Sequence, residues 1–184
     1  MLDIPIPNNE TVTVMVAQTT FAVLRMPGRS FRVDYLDKAE VCLKPGMRGE
    51  FMSYSEHPLL LSYNGRFVSV YINSRPTDSE KLFAEIQQRI EALFQGWRDW
   101  RCVLNGGKKF GSDLLRKNLL NGSGLLLPGA PTIVAGAVID ACKEYGASTY
   151  TDGYIAASLV RPLFHLLLVG DGYIIAKDFR FVQV

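Results

Sequence analysis

The chain has 184 residues, 48% hydrophobic, 21% charged and 11% aromatic, which excludes a chain disordered along its whole length. Twenty Lys and Arg stand against 18 Asp and Glu, and a formal charge of +2 is too small to argue by itself for nucleic acid or a membrane surface. The three cysteines, Cys42, Cys102 and Cys142, are too few for a disulfide scaffold, and no CxxC pair offers a zinc ribbon or a redox dithiol.

The first 72 residues read as β-rich. Val12, Val14 and Val16 alternate with Thr13 and Met15, the period of a half-buried strand. Thr19 to Met26 is a second strand, ended by the turn pair Pro27-Gly28. Phe31, Val33 and Tyr35 alternate with Arg32 and Asp34 in a third, and Lys44-Pro45-Gly46 marks the next break. Pro58 to Tyr63, Asn64-Gly65, and Arg66 to Ile72 suggest a β-hairpin, because Asn-Gly suits a type I′ turn. Phe51, Met52 and Tyr54 fall in an expected loop or edge.

The period then changes. Thr77-Asp78-Ser79-Glu80 fits a capping box. Leu82, Phe83, Ile86, Ile90, Leu93, Phe94 and Trp97 share one helical face. The spacing predicts a helix over 77–104, weakened in its middle by Gly96 and stopped at Asn105-Gly106-Gly107. A short helix is expected at Ser112 to Leu120, then a strand at Leu125 to Leu127 and a turn at Pro128 to Pro131. Thr132 is the expected cap of a helix over 132–145, with Gly146 at its C-terminal end. Leu163 to Val169 and Tyr173 to Val184 flank Gly170-Asp171-Gly172 as a C-terminal hairpin. The order predicts a single α+β domain over 1–184, β-rich in 1–75, helical in 76–146 and a hairpin in 160–184. Its sheet should be mostly antiparallel, with the two main helices packed on one face.

Four segments could carry function. Between Trp97 and Asn118, six cations (Arg98, Arg101, Lys108, Lys109, Arg116 and Lys117) face two acids, Asp99 and Asp113. Trp97, Trp100 and Phe110 lie among them. Cations neutralise phosphates and aromatic faces stack on bases, so this is the nucleic-acid or anion candidate. The bland account is a solvated face, with basic residues near a helix C-terminus favouring its dipole. Residues 122–132 form a glycine-bearing segment before a helix, which can hold a phosphorylated ligand. That segment matches neither GxGxxG nor GxxxxGK[ST], and Pro131 removes an amide. Ser55, Glu56 and His57 are acyl-transfer residue types, but neighbours on an extended chain point to opposite faces and no GxSxG elbow is present. His165 shares a face with Leu163 and Leu167, as a core histidine would. The fourth segment, residues 148–155, mixes polar and aromatic side chains as interfaces do, and Tyr150, Tyr154 and Tyr54 are the candidate partner-binding residues.

No catalytic spacing stands out. Two histidines and scattered carboxylates argue for no metal, and no cofactor motif occurs. The three thiols are expected buried and reduced. The N-terminus lacks the charged and apolar regions of a signal peptide, and no apolar run approaches the roughly 20 residues of a membrane helix, so a soluble, cytoplasmic protein is expected. The residues favour a non-enzymatic binding or assembly protein that contacts another protein or a second copy of itself. Nucleic-acid binding through 97–118 is the alternative, and an enzyme holding a phosphorylated ligand at 122–132 the second alternative.

Overall fold

The computed structural model describes residues 4–64, 66–155 and 164–184, without the side chains of Tyr154 and Ile155. Strands β1 (Thr11–Ala17), β2 (Phe21–Met26), β3 (Arg29–Cys42) and β4 (Arg48–Tyr54) come first. They are followed by β5 (Phe67–Ile72), α1 (Ser79–Phe94), α2 (Gly107–Asn121), β6 (Gly124–Pro131), α3 (Thr132–Glu144) and β7 (Thr149–Ile155). The C-terminal hairpin is β8 (His165–Val169) and β9 (Gly172–Gln183). All strand pairings are antiparallel, and with three α-helices the class is α+β. Among the described residues no helix is long and apolar enough to cross a membrane.

The chain divides into two compact units, Met1–Asn64 with Pro162–Val184, and Gly65–Arg161. The segments read from the sequence are thereby regrouped: β5 joins the helices, and the C-terminal hairpin joins the N-terminal strands.

The first unit is a closed barrel in the order β1-β2-β3-β9-β8-β4. Alternation builds its interior. Val12 and Val14 of β1, Ala22 and Leu24 of β2, and Phe31, Val33 and Tyr35 of β3 all point inward. Register stacks them, with Val14 opposite Leu24, Leu24 opposite Phe31 and Tyr35 opposite Phe179. Small barrels are filled by such side chains rather than hollow, and each fully buried one contributes about 1.5–3 kcal/mol. Phe51 corrects the loop expectation for 51–54. It lies on β4, is fully buried, and meets Phe181 edge-on at 6.4 Å.

The expected hairpin of Pro58 to Ile72 does not form. Pro58–Ser62 is a 3-10 helix, begun by Pro at its first turn and capped by His57. Leu59 and Leu60 are buried side by side, which an alternating strand cannot do. Asn64 is not a hairpin corner; its side chain accepts from Phe164 N at 2.8 Å and donates to Phe164 O at 2.7 Å. β5 pairs instead with β6 and β7.

The second unit is a three-stranded sheet in the order β6-β5-β7, with three helices. α3 lies against β5 and β6, and α1 packs on both α2 and α3. Leu82, Phe83, Ile86, Ile90 and Phe94 form the buried stripe of α1, and Val134, Ala135, Val138, Ala141 and Cys142 that of α3. Arg89 ties α1 to α3, reaching Glu85 at 2.6 Å and Glu144 at 2.5 Å.

Several helix ends differ from the sequence expectation. The cap of α1 is Asp78, whose carboxylate accepts from Lys81 N at 3.0 Å, whereas Thr77 Oγ1 donates to Tyr145 O. α1 ends at Phe94 rather than near 104, because Gln95 and Gly96 both turn left-handed. The expected helix at 112–120 runs 107–121. Pro128 to Pro131 is not a turn but part of β6, with register shifts that absorb the prolines. α3 begins after Pro131, with no side-chain cap from Thr132.

Candidate interaction surface

Strand alternation in the second unit splits its sheet into two faces. Val68, Val70 and Ile72 of β5 are buried, on the side where α3 packs. Phe67, Ser69 and Tyr71 take the other face and are half-buried. Register places Tyr71 opposite both Leu125 of β6 and Tyr150 of β7, so one apolar row crosses all three strands on that face. The Tyr71 and Tyr150 rings are stacked, 4.8 Å between centroids and 5° between planes, and Tyr150 remains 50% exposed. Stacking fixes the ring of Tyr150 while leaving one side accessible.

β7 is an edge strand. Among the described residues it pairs only with β5. Thr151 and Asp152 are exposed beside Tyr150. The opposite edge, β6, carries Pro128 and Pro131, which withhold amides from any further pairing. On β7 the register shifts past Asp152, where Gly153 has φ 71°, so the regular outer edge is 149–152. The sequence did not mark 148–155 as a strand, because threonines, Asp152 and Gly153 dilute the alternation. Of the three candidate tyrosines, Tyr150 is on this surface. Tyr154 shares its strand, but its side chain lies outside the described residues. Tyr54 belongs to β4 of the barrel unit, its ring 5.0 Å from that of His57.

Of the six basic residues, Lys108, Lys109, Arg116 and Lys117 sit on α2, and Arg98 and Arg101 on the segment before it. Asp99 takes two hydrogen bonds from the Arg101 guanidinium, at 2.9 and 2.6 Å, and this holds its carboxyl down at about 2. Arg98 and Arg101 line a cleft of about 640 Å³ together with Glu91 and Asp99, so its charges balance. Arg116 lies over the Phe83 ring at 4.3 Å and 3.7 Å from Glu80. Lys108, Lys109 and Lys117 are exposed on α2, beside an exposed Phe110. Because α1 stops early, Lys108 and Lys109 begin a helix rather than end one. They add to the positive end of its dipole instead of complementing the negative end.

Within residues 122–132, two amides are engaged by neighbouring groups. Gly129 N donates to Ser69 Oγ at 3.1 Å, and Thr132 N donates to Arg66 O at 2.9 Å. His57 has a local task, its Nδ1 accepting from Leu59 N at 3.2 Å, and burial lowers its pKa. His165 is half-buried at the start of β8, and burial lowers its pKa as well; Leu163, its expected companion, lies outside the described residues. The thiols correct the expectation of three buried cysteines, since only Cys142 is buried. Burial pushes the Cys142 thiol up to about 11, and partial desolvation also raises that of the surface Cys102, against the pull of Arg98 and Lys108. Neither is held as a thiolate near neutrality. No family model, curated protein or solved structure matches the chain.

Proposed function

We propose that the protein is a non-enzymatic assembly protein, and that a second copy of the chain pairs with the β7 edge. The observation that carries this is the half-exposed Tyr150, stacked on Tyr71 at the one edge of the sheet without proline. An antiparallel edge can pair with its own copy about a two-fold axis, because the same patch serves both sides. A pairing centred on Tyr150 or Thr151 keeps the two Asp152 carboxylates from facing each other. Backbone hydrogen bonds supply the affinity, and tyrosine contacts set the register.

Size-exclusion chromatography with light scattering tests this directly. The mass should rise with concentration towards twice 20.5 kDa. Thr151→Lys places a charge on the edge, the device natural edge strands use against pairing, and should weaken the dimer by about tenfold or more. A monomer at the highest attainable concentration sinks the proposal.

A second reading is nucleic-acid contact through α2, favoured by Lys108 and Lys109 at its positive end with Phe110 exposed beside them. Affinity for a single-stranded oligonucleotide should then fall steeply with salt. Lys108→Ala with Lys109→Ala should flatten that slope by about 1.4, at about 0.7 per phosphate contact. No binding at low salt dismisses it.

A further inference from the structure

Strand register sets a polar row and an apolar row side by side on the outside of the barrel. Thr13 of β1 stands opposite Arg48 of β4 on one side and Arg25 of β2 on the other. Arg25 in turn stands opposite Ser30 of β3. Their strand neighbours Val12, Val14, Leu24 and Phe31 are buried in the barrel, as is Phe51 further along β4, so alternation turns these four side chains outward. The row Arg48, Thr13, Arg25, Ser30 therefore alternates guanidinium and hydroxyl across four strands, a span of about 14 Å at roughly 4.8 Å per strand. Every member is a hydrogen-bond donor and none is a carboxylate. Arg25 and Arg48 are exposed, and among the described residues neither has an ion pair. Of the nearby acids, Glu50 stands opposite Thr11, outside the row, and Asp34 lies further along β3, held by Arg32 at 2.7 Å.

The next row is largely apolar. Val16 of β1 stands opposite Val23 of β2, Val23 opposite Arg32 of β3, and Arg32 opposite Val182 of β9. Val182 is exposed, and Val16 and Val23 are half-buried. The one cation in this row, Arg32, lies over the ring of Phe21 at 4.4 Å from its centroid. Along β2 and β3 the two rows are two residues apart, about 7 Å.

We propose that this outer face of the barrel binds a single strand of nucleic acid, with phosphates along the row of donors and bases against the apolar row. Guanidinium forks and hydroxyls are side-chain donors that hold phosphate oxygens. Two arginines without carboxylate partners leave positive charge for a polyanion to neutralise. The apolar row then distinguishes among polyanions. Bases have apolar faces that stack on aromatic rings and guanidinium planes, and the Phe21–Arg32 pair presents both. An acidic peptide has no flat group to set there, and a duplex keeps its bases stacked inside. The site belongs to the barrel unit and uses neither the β7 edge nor the lysines of α2, so it stands apart from both readings given above.

The test is fluorescence anisotropy of a labelled oligothymidylate with the full chain at low salt. Arg25→Ala with Arg48→Ala changes two exposed side chains, and should weaken binding by about tenfold and flatten its salt slope by about 1.4, at about 0.7 per phosphate contact. The effect should persist in a chain that also carries Lys108→Ala and Lys109→Ala, which separates this face from α2. Arg25→Lys with Arg48→Lys should restore the salt slope but only part of the affinity, because an ammonium lacks the guanidinium fork. An oligomer of the same length without bases should bind at least about fivefold more weakly. No binding at low salt, an Arg25→Ala, Arg48→Ala chain that binds like the native one, equal affinity for the base-free oligomer, or equal competition by polyglutamate at matched charge would each overturn the proposal.

Discussion

The two units solve the problem of strand edges in opposite ways. The barrel closes its six strands on one another, so nearly every backbone group finds a neighbour, and its interior needs no helix. The three-stranded sheet stays open, covers one face with helices and leaves β6 and β7 as edges. Closure makes the barrel self-sufficient, and β3 outruns β2 at one end. Openness places a stacked tyrosine pair at the accessible edge of the other unit. Structure in the barrel is therefore set by its interior, whereas accessible chemistry in the second unit sits on its boundary.

The sharpest way to break this contrast is at the centres of the two regions. Phe51→Ala removes a fully buried ring from the barrel and should cost about 3–5 kcal/mol in urea denaturation. Tyr150→Ala removes only the outer half of a stacked pair and should cost about 1 kcal/mol, while weakening any self-association. Comparable costs would mean that the tyrosine edge is as structural as the barrel core.

Backbone proximity ranks below the loss of the Phe51 ring. A Cβ at Gly49 would sit 2.4 Å from Gly170 Cα, backbone against backbone where β4 meets the β8–β9 turn. At Gly28 the same atom meets nothing within 4 Å, and only its φ of 77° is strained. Gly49→Ala should therefore lower the midpoint temperature more than Gly28→Ala, whose cost is about 1–2 kcal/mol. The reverse order would show that the wall yields easily there.

The smallest effect is electrostatic. The Asp99 pKa is depressed in the folded chain, so its pairing with Arg101 stabilises above the unfolded carboxyl value, and that contribution is lost as pH falls from about 4 towards about 2. Both groups touch solvent, and screening keeps the contribution small. Asp99→Asn should flatten the acid limb of a stability–pH profile slightly. An unchanged limb would show that this pair does not contribute.

Local patterns announced much of the molecule. Period-two runs located β1 and the start of β3, the Pro27-Gly28 turn marked the end of β2, and the apolar stripe of α1 located its body. Gly170-Asp171 marked the last hairpin because a turn is decided by a few adjacent residues. Misplaced elements had ambiguous local chemistry. Asn64-Gly65 looks like a hairpin corner, yet the Asn64 amide is recruited by Phe164, a hundred residues away. Of the candidate site, Tyr150 was legible as an exposed aromatic in a polar segment, but Tyr71 was not, because only strand register brings the two rings together.

The amino-acid sequence by itself determined the α+β class, the bodies of the helices and the interior faces of β1 and the start of β3, since periodicity and turn chemistry act over a few neighbouring residues. Tertiary structure alone decided that the last hairpin completes the N-terminal barrel, that β7 is an edge, and that β3 overhangs its neighbour. Those features depend on which distant strands pair, and the free energy of pairing resides in contacts between segments far apart in the chain.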